Sequence, residues 1–145
     1  MTTGLDVFDR GMQKSNEWLK ELEQHLGSDD RHYAYRVLRG YFHVLRDRLP
    51  IDEAAQLAAQ LPHPLRGVFY EGWDPSKTPQ SYRDRQTFLS RLAEAAQLAG
   101  PTEASVAAEA ATRVLADHVS AGEIDDVLSV LPSAVRAVLQ PAGRS

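Results

Sequence analysis

Hydrophobic residues recur along this chain at helical spacing almost throughout, and nowhere at the alternation a strand would show. Leu5, Phe8, Met12, Leu19, Leu22 and Leu26, joined by Trp18, form one apolar stripe and predict a first helix. Thr3 and Asp6 offer a capping-box-like start, and Gly27 a stop. A second helix, capped by Ser28 or Asp29, places Ala34, Val37, Leu38, Tyr41, Leu45 and Leu49 near one face and closes at Pro50. A shorter helix runs from about Asp52 to Leu61. Pro62 and Pro64 interrupt, and a brief turn of helix carries Leu65, Val68 and Phe69. Gly72, Pro75 and Pro79 break regular structure. Thr78 followed by Pro79 reads as an N-cap with proline at the first helical position, opening a long helix to about Leu98. Gly100-Pro101 ends that helix and admits the next.

The remaining pattern is the first one again, displaced by 114 − 44 = 70 residues. At that offset Val44-Leu45 meets Val114-Leu115, Asp47 meets Asp117, Glu53 meets Glu123, Leu61-Pro62 meets Leu131-Pro132, and Arg66 meets Arg136. Trp18, Leu19 and Leu22 fall on Phe88, Leu89 and Leu92. Apolar, charged and proline positions all agree, whereas helical spacing alone would match only the apolar ones. The expectation is an all-α protein of about eight helices. They form two pseudo-repeated four-helix units, residues 1–73 and 74–140, sharing a core within one domain, 1–145. Two units are too few for an open solenoid. Ser120 and Glu123 supply a capping box for the third helix of the second unit, where the first unit has Pro50 in place of the serine.

Composition narrows the function classes. The chain has 145 residues, 43% hydrophobic and 25% charged, and folding at this size hides roughly 68% of the extended surface. With no cysteine there is no disulfide, thiolate metal site or cysteine nucleophile. A net charge of −4 gives no broad positive field, which disfavours nucleic acid as a partner. No apolar run approaches the ~20 residues needed to span a bilayer, so no membrane association is expected. The start MTTGLDVFDR lacks the basic and apolar regions of a signal peptide, and a cytoplasmic location is expected.

An ordered series of segments carries a family resemblance. It comprises Ala34-Tyr35-Arg36-Val37-Leu38-Arg39, Leu45-Arg46-Asp47-Arg48-Leu49, Glu53-Ala54, Gln60-Leu61-Pro62, and Arg66-Gly67-Val68-Phe69-Tyr70-Glu71-Gly72-Trp73. It resembles the bacterial family catalogued as domain of unknown function 2267, over nearly the whole chain. The Arg-Gly-x-x-Tyr-x-Gly-Trp segment is its most specific part. His63-Pro64 departs from the aliphatic residues of the family pattern. The resemblance implies a small helical protein, no established activity, and a stress-associated setting by association with neighbouring genes.

The chemistry-bearing residues do not assemble a catalytic set. Glu21 with His25, and His43 with Asp47, share helix faces at i, i+4, but no HExxH or third ligand accompanies them, so no metal is expected. The carboxylate pairs Asp29-Asp30, Asp52-Glu53 and Asp125-Asp126 lie mostly at helix starts, where the helix dipole explains them. No nucleophile elbow or phosphate loop is present, and no cofactor is implied. Arg31, Arg36, Arg39, Arg46 and Arg48 crowd the second helix, but acidic neighbours accompany them. The repeated Arg66/Arg136 and Glu53/Glu123 predict an arginine–carboxylate tie between the third and fourth helices of each unit, with an anion site as the alternative.

Aromatic residues are distributed unevenly, for only Tyr82 and Phe88 follow Trp73. The second unit instead has Ala104, Ala107, Ala108, Ala110 and Ala111. Complementary packing is one explanation. The functional one is a binding surface made of Arg66, Tyr70, Trp73, Tyr35 and Phe42, docking an unidentified protein partner through a non-catalytic module. The alternative is a small-ligand-binding protein or enzyme with a pocket between the two units, lined by Trp18, Tyr41 and Trp73 with Arg66 or His43. A homodimer through the alanine-rich face is a third expectation.

Overall fold

A computed structural model describes residues 4–140. Its described residues form eight α-helices and a single 3-10 turn, with no strand. In order these are α1 (Asp6–Leu26), α2 (Arg31–Arg48), α3 (Ile51–Ala59), α4 (His63–Tyr70), the turn Pro75–Lys77, α5 (Arg85–Ala96), α6 (Pro101–His118), α7 (Ala121–Val130) and α8 (Ser133–Leu139). The all-α expectation and its number of helices hold.

Local chemistry explains most boundaries. Gly27 ends α1 in the left-handed conformation, φ 67°, and its amide and the next one return to the carbonyls of α1. Asp30, rather than Ser28 or Asp29, caps α2, its carboxylate accepting from the amides of His32 and Tyr33. Pro50, Pro62 and Pro132 are the N-caps of α3, α4 and α8. Thr3 lies outside the described residues. The N-cap of α1 is Leu5, which makes no side-chain cap hydrogen bond.

The longest displacement concerns α5, which begins at Arg85 and not after Thr78. Asp84 is the working cap, accepting from the amide and hydroxyl of Thr87. The residues before it are held by the end of α2. The Gln80 amide donates to the Asp47 carbonyl at 2.8 Å, and Arg48 Nε donates to the Tyr82 carbonyl at 2.8 Å. A proline at a permissible helix start cannot compete with that tertiary anchoring.

Helix α1 packs on α2, α4 and α6, while α5 packs on α6, α8 and α2. Helix α2 also contacts α4, and α6 contacts α8. Two further pairs, α2 with α6 and α3 with α7, meet across the middle. Arg31 and Pro101 start α2 and α6, Ile51 and Ala121 start α3 and α7, and His63 and Ser133 start α4 and α8, each pair 70 residues apart. The core is continuous. Trp18, Leu22, Tyr41, Phe42, Phe69, Phe88 and Leu92 are fully enclosed, and Ala104, Ala107, Ala108, Ala110 and Ala111 of α6 are buried among them. The face formed by these alanines is thus internal. Tyr41 crosses to α6, its hydroxyl 2.9 Å from Thr112 Oγ1. This is the complementary packing of large against small residues.

Close approach demands glycine at one point. A methyl group on Gly40 would lie 2.9 Å from both Cβ and N of Ala96, so α2 and α5 can touch there only without a side chain. Of the apolar stripe of α1, only Trp18 and Leu22 are fully buried. Phe8 and Met12, which the periodicity places inward, remain 51% and 36% exposed, because the first turns of α1 extend past the helices that cover its remainder.

Candidate functional site

Arginine side chains close helix ends throughout this fold. Arg66 Nε donates to the Ala58 carbonyl at 3.0 Å, and its Nη2 to Ala59 and Leu61, completing the C-terminus of α3. Arg136 does the same for α7 through the Leu128 and Leu131 carbonyls, at 2.9 and 3.1 Å. The tie between third and fourth helices therefore exists, but its acceptors are backbone carbonyls and not Glu53 or Glu123. An arginine fork reaches several orphan carbonyls at a helix end, where the dipole also favours positive charge.

The arginines of α2 are engaged in the same way. Arg36 donates to the Ala96 carbonyl at the end of α5, and Arg48 to Tyr82. Arg31 pairs with Glu23, and Arg39 with Glu71 at 2.7 Å. Arg46, 4% exposed, holds the end of α4 through the Phe69 and Glu71 carbonyls, at 2.9 and 2.8 Å, with Asp47 at 2.8 Å on its Nε. His43 Nε2 lies 2.7 Å from the Val68 carbonyl. Burial pushes the His43 pKa below its ordinary value, against the raising effect of that hydrogen bond. Arg46 and Arg48 are thus buried structural ties, while Arg31 and Arg39 pair with carboxylates at the surface.

The five expected binding residues separate accordingly. Phe42 is fully buried, edge-on to Trp18 and Phe69, and serves the core instead of a surface. Arg66 is occupied with α3, although it also borders a groove of about 310 Å³ with Val7, Gly11 and His63. Tyr70 and Trp73 stack at 5.3 Å and are half-buried. Tyr35 is 40% exposed. Trp18 and Tyr41, expected to line an internal pocket, are packed solid. Trp18 stacks on His118 at 4.9 Å, and His118 in turn meets Glu21 at 2.7 Å. Glu21 is thereby drawn away from His25, its expected partner.

Two surface features were not legible as sites in the sequence. The first is apolar. Phe8 and Met12 of α1, with His63 and Pro64 of α4, line a groove of about 380 Å³. Val7 beside it is 53% exposed. Periodicity assigns these α1 residues to the core, and only the tertiary arrangement leaves them uncovered.

The second is polar. Glu53 and Glu123 face each other between α3 and α7, and carboxylate oxygens of Glu53, Glu123 and Asp126 lie within 4.8 Å of one another. Glu123 is 6% exposed. Its Oε2 and that of Glu53 are buried with no partner. Burial pushes the Glu123 carboxyl up to about 8, hydrogen bonding to and the charge of Glu53 add to this, and Asp126 contributes further. The signal available in the sequence was the shared register of the two glutamates at the 70-residue offset.

The expected Ser120–Glu123 capping box is half formed. Ser120 Oγ accepts from the Glu123 amide at 3.1 Å, but the reciprocal place is taken from outside α7. Gln60 Oε1 accepts from the Ser120 amide at 2.8 Å, and Gln60 Nε2 donates to Ser120 Oγ at 3.2 Å. On α3 the N-cap is Pro50, which has no amide hydrogen for Glu53 to receive. Both glutamates are therefore denied the local donor normally available to an acidic group at this position.

The described residues, helical from end to end with no strand, place the protein in the all-α class. Within that class, the chain belongs to the family of uncharacterized conserved proteins DUF2267, whose model matches residues 15–138. The match covers α2 to α7, nearly all of α8, and α1 from Ser15 onward; the exposed start of α1 precedes it. No curated protein matches the chain. None of the helices among the described residues is long and apolar enough to cross a membrane.

Proposed function

We propose that this protein is a non-catalytic, cytoplasmic interaction module that docks a protein partner through the apolar groove between α1 and α4. The observation that carries this reading is the exposure of Val7, Phe8 and Met12 on one stretch of helix beside the Phe8–Met12–His63–Pro64 groove. Apolar side chains grouped on a rigid surface favour a partner that removes them from water, at roughly 25 cal/mol per Å² covered. A groove of this kind suits an apolar segment of the partner. The stacked Tyr70–Trp73 pair at the other end of α4 offers a second contact area. A stress-associated setting rests on the family resemblance alone. We read residues 1–73 and 74–140 as duplicated units, supported by the shared offset of their helix starts.

The experiment is affinity co-purification with wild-type protein, a Phe8→Ala/Met12→Ala variant and a Tyr70→Ala/Trp73→Ala variant, each shown to be folded by circular dichroism. The expected outcome is a defined partner that binds the wild type and is lost from the first variant. Partial weakening is expected in the second. A partner set unchanged in both variants would defeat the proposal.

A further inference from the structure

We propose that Glu53, Glu123 and Asp126 form a binding site for a hard divalent cation at the junction of α3 and α7. This site is separate from the docking groove, and its standing does not depend on that reading. Three observations carry it. The three side chains present oxygens within 4.8 Å of one another, the separation that ligands of one ion require. Glu123 is more than nine-tenths buried with its carboxylate in that group, and its Oε2 and that of Glu53 are both buried without a hydrogen-bond partner. Both glutamates also lack their ordinary local donor, Glu123 because Gln60 has taken the Ser120 amide and Glu53 because its cap is Pro50.

Two buried carboxylates cannot both ionise beside each other without a neutralising charge. Among the described residues no lysine, arginine or histidine forms an ion pair with Glu53, Glu123 or Asp126. The remaining neutralisers are a proton shared between the glutamates and a metal ion. A proton answers for one negative charge, whereas Asp126 adds a third carboxylate that a single proton leaves unbalanced. A divalent ion matches the set better. All-oxygen ligation selects Mg²⁺, Mn²⁺ or Ca²⁺ over softer metals. Asp126 is exposed, so its side of the site opens to water, giving both an entry path and the remaining ligands.

The test uses the full chain and Mn²⁺ alone, with binding read by loss of the free-ion electron paramagnetic resonance signal and stability read by thermal melting. Glu123→Gln keeps the side-chain shape and removes the charge, so the variant is expected to fold. Asp126→Asn, on the exposed side, provides a second variant with little bearing on folding. The expected result is one Mn²⁺ per chain, displaced by Ca²⁺ or Mg²⁺, and weakened at least about tenfold in each variant. Absence of binding at millimolar Mn²⁺ would overturn the site. So would equal binding by wild type and Glu123→Gln. A melting temperature that Mn²⁺ leaves unchanged, but that Glu123→Gln raises, would likewise overturn it and identify a proton-only pair.

Discussion

Helices α4 and α8 occupy corresponding places 70 residues apart, yet they are secured differently. Both begin behind a proline cap, and in both an arginine, Arg66 or Arg136, reaches back to close the preceding helix. Beyond that the two diverge. The end of α4 is clamped from α2 by Arg46 and His43 through the carbonyls of residues 68, 69 and 71. At the same offset α6 carries Ala116 and the exposed Arg113. Alanine has no atoms with which to reach the end of α8. The difference teaches that the apolar skeleton sets where both helices lie, while added polar clamps make the α4 end, with Tyr70 and Trp73 next to it, a rigid platform.

The clamp itself is the sharpest way to break that contrast. Arg46→Ala removes a buried charged donor from two backbone carbonyls and from Asp47, and is expected to lower stability by about 3 kcal/mol in chemical denaturation. Arg113→Ala should stay within about 0.5 kcal/mol. Equal losses from the two would dissolve the distinction between the helices. Next come the arginines that the two halves share. Arg66→Ala and Arg136→Ala should each cost about 1–2 kcal/mol, and the two values should agree closely, since both remove donors from the end of the preceding helix. A large loss for one and none for the other would show that the ties are not equivalent.

The smallest expected effect is pH-dependent. The folded-state pKa of His43 is lowered, chiefly by burial, so the unfolded chain takes up its proton first as pH falls. The stability contributed by neutral His43 is complete above the unfolded value of about 6.5 and declines below it, toward the folded pKa. Hydrogen exchange should therefore show the amides of α4 losing protection on acidification to pH 5, ahead of those of α8. A His43→Gln variant should remove that difference in acid sensitivity. If α4 and α8 respond alike in the wild type, His43 is not part of the clamp.

How much of this could be read from the residues alone can be judged at particular positions. Helical periodicity located all eight helices, and Gly27, Pro50, Gly100-Pro101 and Ser120 marked real ends, because capping and proline geometry are local. Local chemistry does not single out Asp84 as the start of α5, since Thr78-Pro79 offers an equally good N-cap and first-turn proline. Only the contacts of Gln80 and Tyr82 with the end of α2 select between them. Of the expected surface residues, Tyr70, Trp73 and Tyr35 retain exposed area, while Phe42 is enclosed. Periodicity says which face of a helix is apolar, but not how far along its length a neighbour covers it. For the same reason Phe8 and Met12 read as core and are found at the surface.

What the sequence by itself determined is therefore the helical class, the order and approximate limits of the helices, and the 70-residue register that places Arg66 with Arg136 and Glu53 with Glu123. Those properties follow from spacing and local backbone chemistry, which extend over one or two turns. Tertiary structure alone decided that the two arginines seek carbonyls, that Arg46 and Arg48 of α2 are buried, and that the two glutamates meet each other across α3 and α7. Each of those choices depends on which acceptor a long side chain can reach once helices distant in sequence have packed. Reach of that kind is a property of the assembled core and is written in no single segment.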